Sequence, residues 1–267
     1  MDNSQQMGTR RFGRINWLGM ATLAERETRR FMAVWSQTVM APLITAVLFL
    51  AVFGLALGTR RGEVMGVPFL NFIAPGILMM SVIQNAFANT SSSILVAKVQ
   101  GNIVDTLMPP ISAGEMLVGY LAGALARGLL VSLPVLALMT AYLGTGLAHP
   151  LWLALVLVMG SVLMGSLGIV GAIYAQKFDQ MSVISNFVIT PLTFLSGTFY
   201  SIEVLPPAMR ALCHVNPIFY LIDGARYAIL GVSDSSPWIG LGVCAAASAG
   251  LCALCWYWFR IGHRLKP

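Results

Sequence analysis

Charge is what this sequence has least of. Of 267 residues only 10% are Asp, Glu, Lys or Arg, against 57% that are apolar. Soluble domains carry about 25% charged residues. The deficit excludes an ordinary soluble enzyme or binding module, and the surplus apolar surface must face lipid. No stretch is long and polar enough to make a separate soluble domain. Cysteine is scarce too: Cys213, Cys244, Cys252 and Cys255, the last three within one apolar segment. That argues against a disulfide framework. Cys252 and Cys255 form a C-x-x-C inside an apolar helix, whereas redox pairs sit at a helix start. Small apolar packing is the expected role. There is no H-E-x-x-H and no G-x-x-x-x-G-K-[ST], so neither a zinc-protease helix nor an ATP-binding P-loop is present. The three histidines, His149, His214 and His263, are scattered. Ser196 and His214 could be imagined as nucleophile and base, but no neighbouring residue supports them.

What is present is a series of apolar segments of spanning length, about 20 residues each. They lie at about 33–57, 69–95, 117–144, 150–174, 182–200 and 238–259. The reading is an all-α polytopic membrane protein with six transmembrane helices. Residues 1–32 form a polar tail and then an amphipathic interfacial helix, in which Trp17, Leu18, Leu23 and Phe31 alternate with Arg26, Arg29 and Arg30. Residues 33–259 form the membrane domain, and residues 260–267 form a short tail. The first apolar stretch is too long for a signal peptide and is read as a retained span.

The net charge of +6 serves topology; no nucleic-acid partner is expected. With the N-terminus inside, one side holds Arg10, Arg11, Arg14, Arg26, Arg29, Arg30, Lys98, Lys177, Arg260, Arg264 and Lys266. The other holds Arg60, Arg61, Arg210 and Arg226. The imbalance places both termini in the cytoplasm, and an even number of spans agrees. Arg127 lies within the third segment, about a dozen residues after Glu115; it is expected to snorkel to the inner headgroups, the alternative being a contact with cargo or a partner. No repeat relates the first three spans to the last three, which counts against an inverted-repeat carrier.

Two spans carry polar faces. In the second, Ser81, Gln84, Asn85, Ala88, Asn89 and Ser92 recur at helical spacing. Lipid cannot satisfy those groups, so the stripe is either glue between helices or the wall of a translocation path. In the fifth, Asn186, Thr190, Thr193 and Gly197 repeat the pattern around Pro191. Neither face is charged, which suits an amphipathic, glycan-bearing or lipid-like cargo better than a bare ion.

Two connections stand out. Residues 96–115 read as a short helix stopped by Pro109 and Pro110, after which Ser112 and Glu115 make a capping box. Ile103, Leu107 and Met108 are expected to be exposed there as a docking surface. The long segment between the last two spans, including "HVNPIFYLIDGARYAILG", has too many breakers for a span and reads as re-entrant on the outward side. Asp223 and Arg226, three apart, are expected to pair on one helical face and act as a clasp on an external lid.

These residues resemble the membrane subunit of ABC-2 type transporters, over roughly residues 15–260. The match is carried by Ser196–Gly197, Phe199–Tyr200, Leu205–Pro206, Asn216–Pro217, Tyr220, Arg226 and Gly231, with Ser201 standing where many members have Pro. It is also carried by Gly101, Asp105, Leu107, Pro109 and Glu115 in the cytoplasmic loop. The family includes exporters of drugs, polysaccharides and lipid-linked oligosaccharides, nodulation-factor exporters among them.

The resemblance implies a type V exporter-like fold and a permease homodimer in the bacterial inner membrane. Two copies of a separate ATP-binding-cassette ATPase would dock there and carry the ATP and magnesium, so no cofactor or metal is expected on this chain. Gly101, Asp105, Leu107, Met108 and Pro109 would couple to the ATPase. Ser81, Gln84, Asn85, Asn89, Asn186, Thr190 and Thr193 would line the path. Asn216, Pro217, Tyr220, Asp223 and Arg226 would form the outer gate. The chain itself would be no enzyme. The alternatives are a self-contained channel or secondary carrier, and an intramembrane hydrolase built on Ser196.

Overall fold

The computed structural model describes residues 15–57 and 62–265. Eleven α-helices and one small hairpin make up the described chain. Helix α1 (Trp17–Met32) is followed after a tight turn by a π-helical turn, Ser36–Met40, that runs into α2 (Ala41–Leu57). The strands β1 (Glu63–Val64) and β2 (Val67–Pro68) pair antiparallel. Helices α3 (Phe69–Val99), α4 (Ile103–Leu107), α5 (Ala113–Leu143) and α6 (Pro150–Tyr174) follow. Then come α7 (Phe178–Ile184), a second π-helical turn at Ser185–Ile189, and α8 (Thr190–Leu195). Helices α9 (Pro207–Val215), α10 (Pro217–Leu230) and α11 (Pro237–Ile261) complete the chain.

Five helices among the described residues are long and apolar enough to cross a membrane: Ser36–Ala56, α3, α5, α6 and α11. The segment expected as the fifth of six spans is instead the succession α7, π-turn and α8, ending in a turn at residues 196–200. The wider π-turn changes the angular step between residues, so the expected polar face is divided. Asn186 faces outward and Thr193 is buried. The hydroxyls of Thr190 and Thr193 are donated to the carbonyls of Ser185 and Ile189 at 3.0 and 2.7 Å. These bonds satisfy both groups within the helix.

Helix α3 is the centre of the bundle, packed mainly against α6 and α5. Small residues allow the approach. Glycines 160, 165, 168 and 171 of α6 are buried, and the Thr90 hydroxyl donates to the Gly165 carbonyl at 2.7 Å. Lipid offers no hydrophobic drive between helices, so close backbone contact and such bonds hold the pair together. Phe72, Phe87, Tyr120 and Phe219 fill the core.

Helix α10 is sunk into this core against α6, α3 and α11. Phe219, Tyr220, Leu221 and Ile222, within the segment read as re-entrant, are buried in protein. The neighbouring α9 is mostly exposed, with Leu212 and Val215 turned outward.

Candidate functional site

The end of the bundle that carries α4 is tied together by α1. Gly123 of α5 makes the approach possible, since a Cβ there would lie 2.5 Å from the Cβ of Glu27. Glu27 is completely buried. It accepts from the Ser93 hydroxyl at 2.6 Å and pairs with Arg26 and Arg30, each at 3.2 Å. Arg30 also donates to the Asn89 carbonyl at 2.7 Å and to the Asn89 side-chain oxygen at 3.1 Å. Arg26 donates to the Thr106 hydroxyl of α4 at 2.9 Å. Burial works to lower the Arg26 pKa, but Tyr120 and Glu27 hold it above its ordinary value.

At the start of α1, Asn16 donates from its backbone to Glu115 at 2.6 Å and from its side chain to the Pro110 carbonyl at 3.0 Å. The capping box is present, with Ser112 N donating to Glu115 at 2.7 Å and Glu115 N to the Ser112 hydroxyl at 3.3 Å. Helix α1 and its cap therefore hold the C-terminal half of the α4 connection.

Within that connection Gly101 has φ +75°, a left-handed turn that glycine adopts without strain. Met108 is 77% exposed. Val104, Asp105 and Pro109 are exposed and Leu107 is half-buried. Ile103 was expected to be exposed but is buried, because the single turn of α4 folds back onto the bundle. On the opposite flank Lys98 donates to the carbonyls of Ala172, Ile173 and Ala175 at 2.8–2.9 Å. It thereby caps the carboxyl end of α6.

The polar stripe of α3 borders an open groove of about 280 Å³ between α3, α5 and the start of α2. Gln37, Thr45, Ser81, Gln84, Asn85 and Arg127 line it. Ser81 is buried and donates to the Ile77 carbonyl. Asn85 donates to the Ser81 carbonyl at 3.0 Å and accepts from Arg127 Nε at 3.1 Å. Arg127 thus turns into the groove rather than along its helix toward an interface. Asn89, one turn further, is buried and held by Arg30. The stripe divides in two: Gln84 and Asn85 face open space, and Asn89 joins helices.

At the far end of the bundle the expected Asp223–Arg226 pair is present, at 3.2 Å, and it is part of a larger cluster. Arg226 is completely buried and also pairs with Asp234 at 2.9 Å. It donates to the Gly197 carbonyl at 2.7 Å and lies 4.0 Å over the Phe72 ring. Asp223 accepts from the backbone N–H groups of Asp234 and Ser235 at 2.8 and 3.0 Å and from the Ser235 hydroxyl at 3.0 Å. The Ser201 hydroxyl donates to Asp234.

Asn216 caps α10, accepting from Ile218 N at 3.0 Å and donating to the Ser196 hydroxyl at 2.7 Å. Tyr220 donates to the His214 carbonyl at 3.0 Å. Ser196 donates to Leu192, so its proton is engaged by a carbonyl and not by His214.

The family model described as ABC-2 type transporter matches residues 19–230. The chain belongs to the ABC-2 type transporter family. This family model covers all but the first two residues of α1, the α4 connection and all of α10. The chain is 38% identical over 252 residues to the "Inner membrane transport permease YadH" of Escherichia coli K12, covering 94% of this chain and 98% of that one. It is 27% identical over 242 residues to "Nodulation protein J" of Rhizobium leguminosarum bv. viciae, covering 86% and 88%. Nodulation protein J of Neorhizobium galegae is 26% identical over 229 residues, covering 82% and 83%. As an ABC-2 type chain it is the membrane component of a transporter, not the ATPase.

Sequence reasoning missed two residues in this ABC-2 domain. Glu27 looked like one more charge on a surface helix. The signal available was its position between Arg26 and Arg30 on the face that carries Leu23 and Phe31, which are buried with it. Asp234 lies in a connecting segment with no periodicity to mark it.

Proposed function

We propose that this chain is the permease of an ATP-driven exporter in the bacterial inner membrane. A separate ATPase, in two copies on a permease homodimer, would move an amphipathic, glycan or lipid-like substrate outward. Six spans cross the membrane in this reading, with α7, the π-turn and α8 as a broken fifth span. Both termini are cytoplasmic, α1 lies at the inner interface, and α9 and α10 are re-entrant from the outer side. Gln84 and Asn85 contribute the path wall from α3, and Asn186 and Thr190 from the broken span.

The observation that carries the reading is the α4 connection. Its apolar and acidic surface, Val104, Asp105 and Met108, stands exposed beyond the bundle, while Arg26, Asn16 and Lys98 bind its flanks into the helices. An exposed knob stitched at both ends transmits a push instead of absorbing it. The test is co-purification of the permease with its ATPase from membranes. Met108→Glu with Asp105→Lys is expected to reduce the recovered ATPase at least about tenfold and stop ATP-driven export. Normal recovery and export in the double variant would remove α4 as the docking element.

A further inference from the structure

Arg127 sits near the middle of the 31-residue α5, and its bonded partner Asn85 sits near the middle of the 31-residue α3. An ionised group at such depth is tolerated when it is paired or when it lines a cavity or substrate route. The guanidinium has five donors. Among the described residues only Nε is engaged, with the neutral oxygen of Asn85. Among the described residues no carboxylate lines the groove.

The buried carboxylates of the bundle are committed elsewhere: Glu27 to Arg26 and Arg30, and Asp223 and Asp234 to Arg226. The remaining wall offers neutral amides and hydroxyls from Gln37, Gln84, Thr45 and Ser81 beside apolar Phe49, Ile77 and Met80. A fixed cation, neutral hydrogen-bonding groups and an apolar flank complement an anionic head on an apolar tail. Planar bidentate pairing of Arg with phosphate or carboxylate is the strongest use of the free fork.

We infer that this groove binds an anionic amphiphile, with Arg127 receiving its phosphate or carboxylate. The inference deepens the exporter reading, since it assigns the class of molecule entering the path. It also revises the expectation of neutral walls.

The test uses the purified permease in phosphatidylcholine nanodiscs, without ATPase or ATP, so its outcome is separable from assembly and transport. Dioctanoyl phosphatidic acid, dioctanoyl phosphatidylcholine and octyl glucoside are titrated in turn. The acid is expected to bind at least about tenfold more tightly than the other two, as loss of a charge-assisted bond would predict. Arg127→Gln should erase that preference and Arg127→Lys should retain part of it. Asn85→Asp should also erase it, by placing a carboxylate against Arg127 while leaving the arginine in place. If Arg127→Gln does not fold, the Asn85→Asp and Arg127→Lys pair decides. Equal binding of the three probes to the unaltered chain, or a preference that survives Asn85→Asp, would overturn the inference. Phosphatidylglycerol nanodiscs separate the sources: competition assigns the site to a resident lipid head, and persistence assigns it to a phosphate-bearing cargo.

Discussion

The two acids that hold Arg226 are predicted to differ sharply in what they tolerate. Consider Asp223→Asn and Asp234→Asn, each of which removes one charge and no volume. Both oxygens of Asp223 accept a backbone N–H, one from Asp234 at 2.8 Å and one from Ser235 at 3.0 Å. An asparagine in either flip aims its NH2 at a donor that cannot turn round. The buried donors are then opposed, at about 1–3 kcal/mol each, and the Arg226 contact weakens as well.

Asp234 is different. One oxygen accepts from Arg226 at 2.9 Å and the other from the Ser201 hydroxyl. Asparagine can keep its carbonyl toward Arg226 and give its NH2 to Ser201, whose hydroxyl rotates to accept. The cluster also changes from two acids against one base to one against one, which lowers the cost of burying it. Asp223→Asn should therefore destabilise by about 2–4 kcal/mol and Asp234→Asn by less than about 1 kcal/mol.

For a chain of this size that is roughly 5–15 °C against less than about 4 °C in unfolding midpoint. The assay is thermal unfolding in detergent followed by a thiol-reactive dye, for which buried Cys213, Cys244 and Cys255 are natural reporters. Equal midpoints for the two variants, or a larger loss for Asp234→Asn, would refute the donor-and-acceptor reasoning.

Exchanging the charges, Asp223→Arg with Arg226→Asp, should fail to rescue either single change in the same assay, because the new aspartate would face Asp234. Gly123→Val should force α1 off α5, since the added atoms would meet Glu27; faster trypsin cleavage at Arg26, Arg29 and Arg30 with an intact α3–α6 core would report it. Arg26→Ala removes the side-chain bond from α1 to α4; ATPase recovery should stay near normal while transport per ATP hydrolysed falls several-fold, and an unchanged ratio would show that α1 carries no signal. Ser112→Ala removes the cap at the start of α5, with an expected loss of about 1 kcal/mol in the unfolding assay.

The features legible in the sequence were those written in local spacing. Long apolar runs announced α2, α3, α5, α6 and α11. Ser112 with Glu115 announced the start of α5, because capping bonds reach only two or three residues. Asp223 and Arg226 were legible for the same reason. What stayed hidden depends on distant chain segments meeting. Asp234 reaches Arg226 only because residues 231–236 fold back over α10. Glu27 is buried only because Gly123 lacks a side chain. Arg127 turned out to face Asn85 and not the headgroups, a choice set by the groove between α3 and α5. The divided face of α7, the π-turn and α8 escaped notice because a π-turn changes the helical step without any residue type that signals it.

Lys98 has a mechanical consequence. Its three ammonium hydrogens are all taken by carbonyls at the end of α6, and it stands five residues before Ile103 begins α4. The same carbonyls lie just ahead of Phe178, where α7 begins. One side chain thus ties the base of the exposed knob to the turn that leads into α7. A displacement of α4 would reach α7 through the last turn of α3, which carries Lys98, and the end of α6 to which it is bonded. The lever arm is short, and its stiffness rests on one ammonium group.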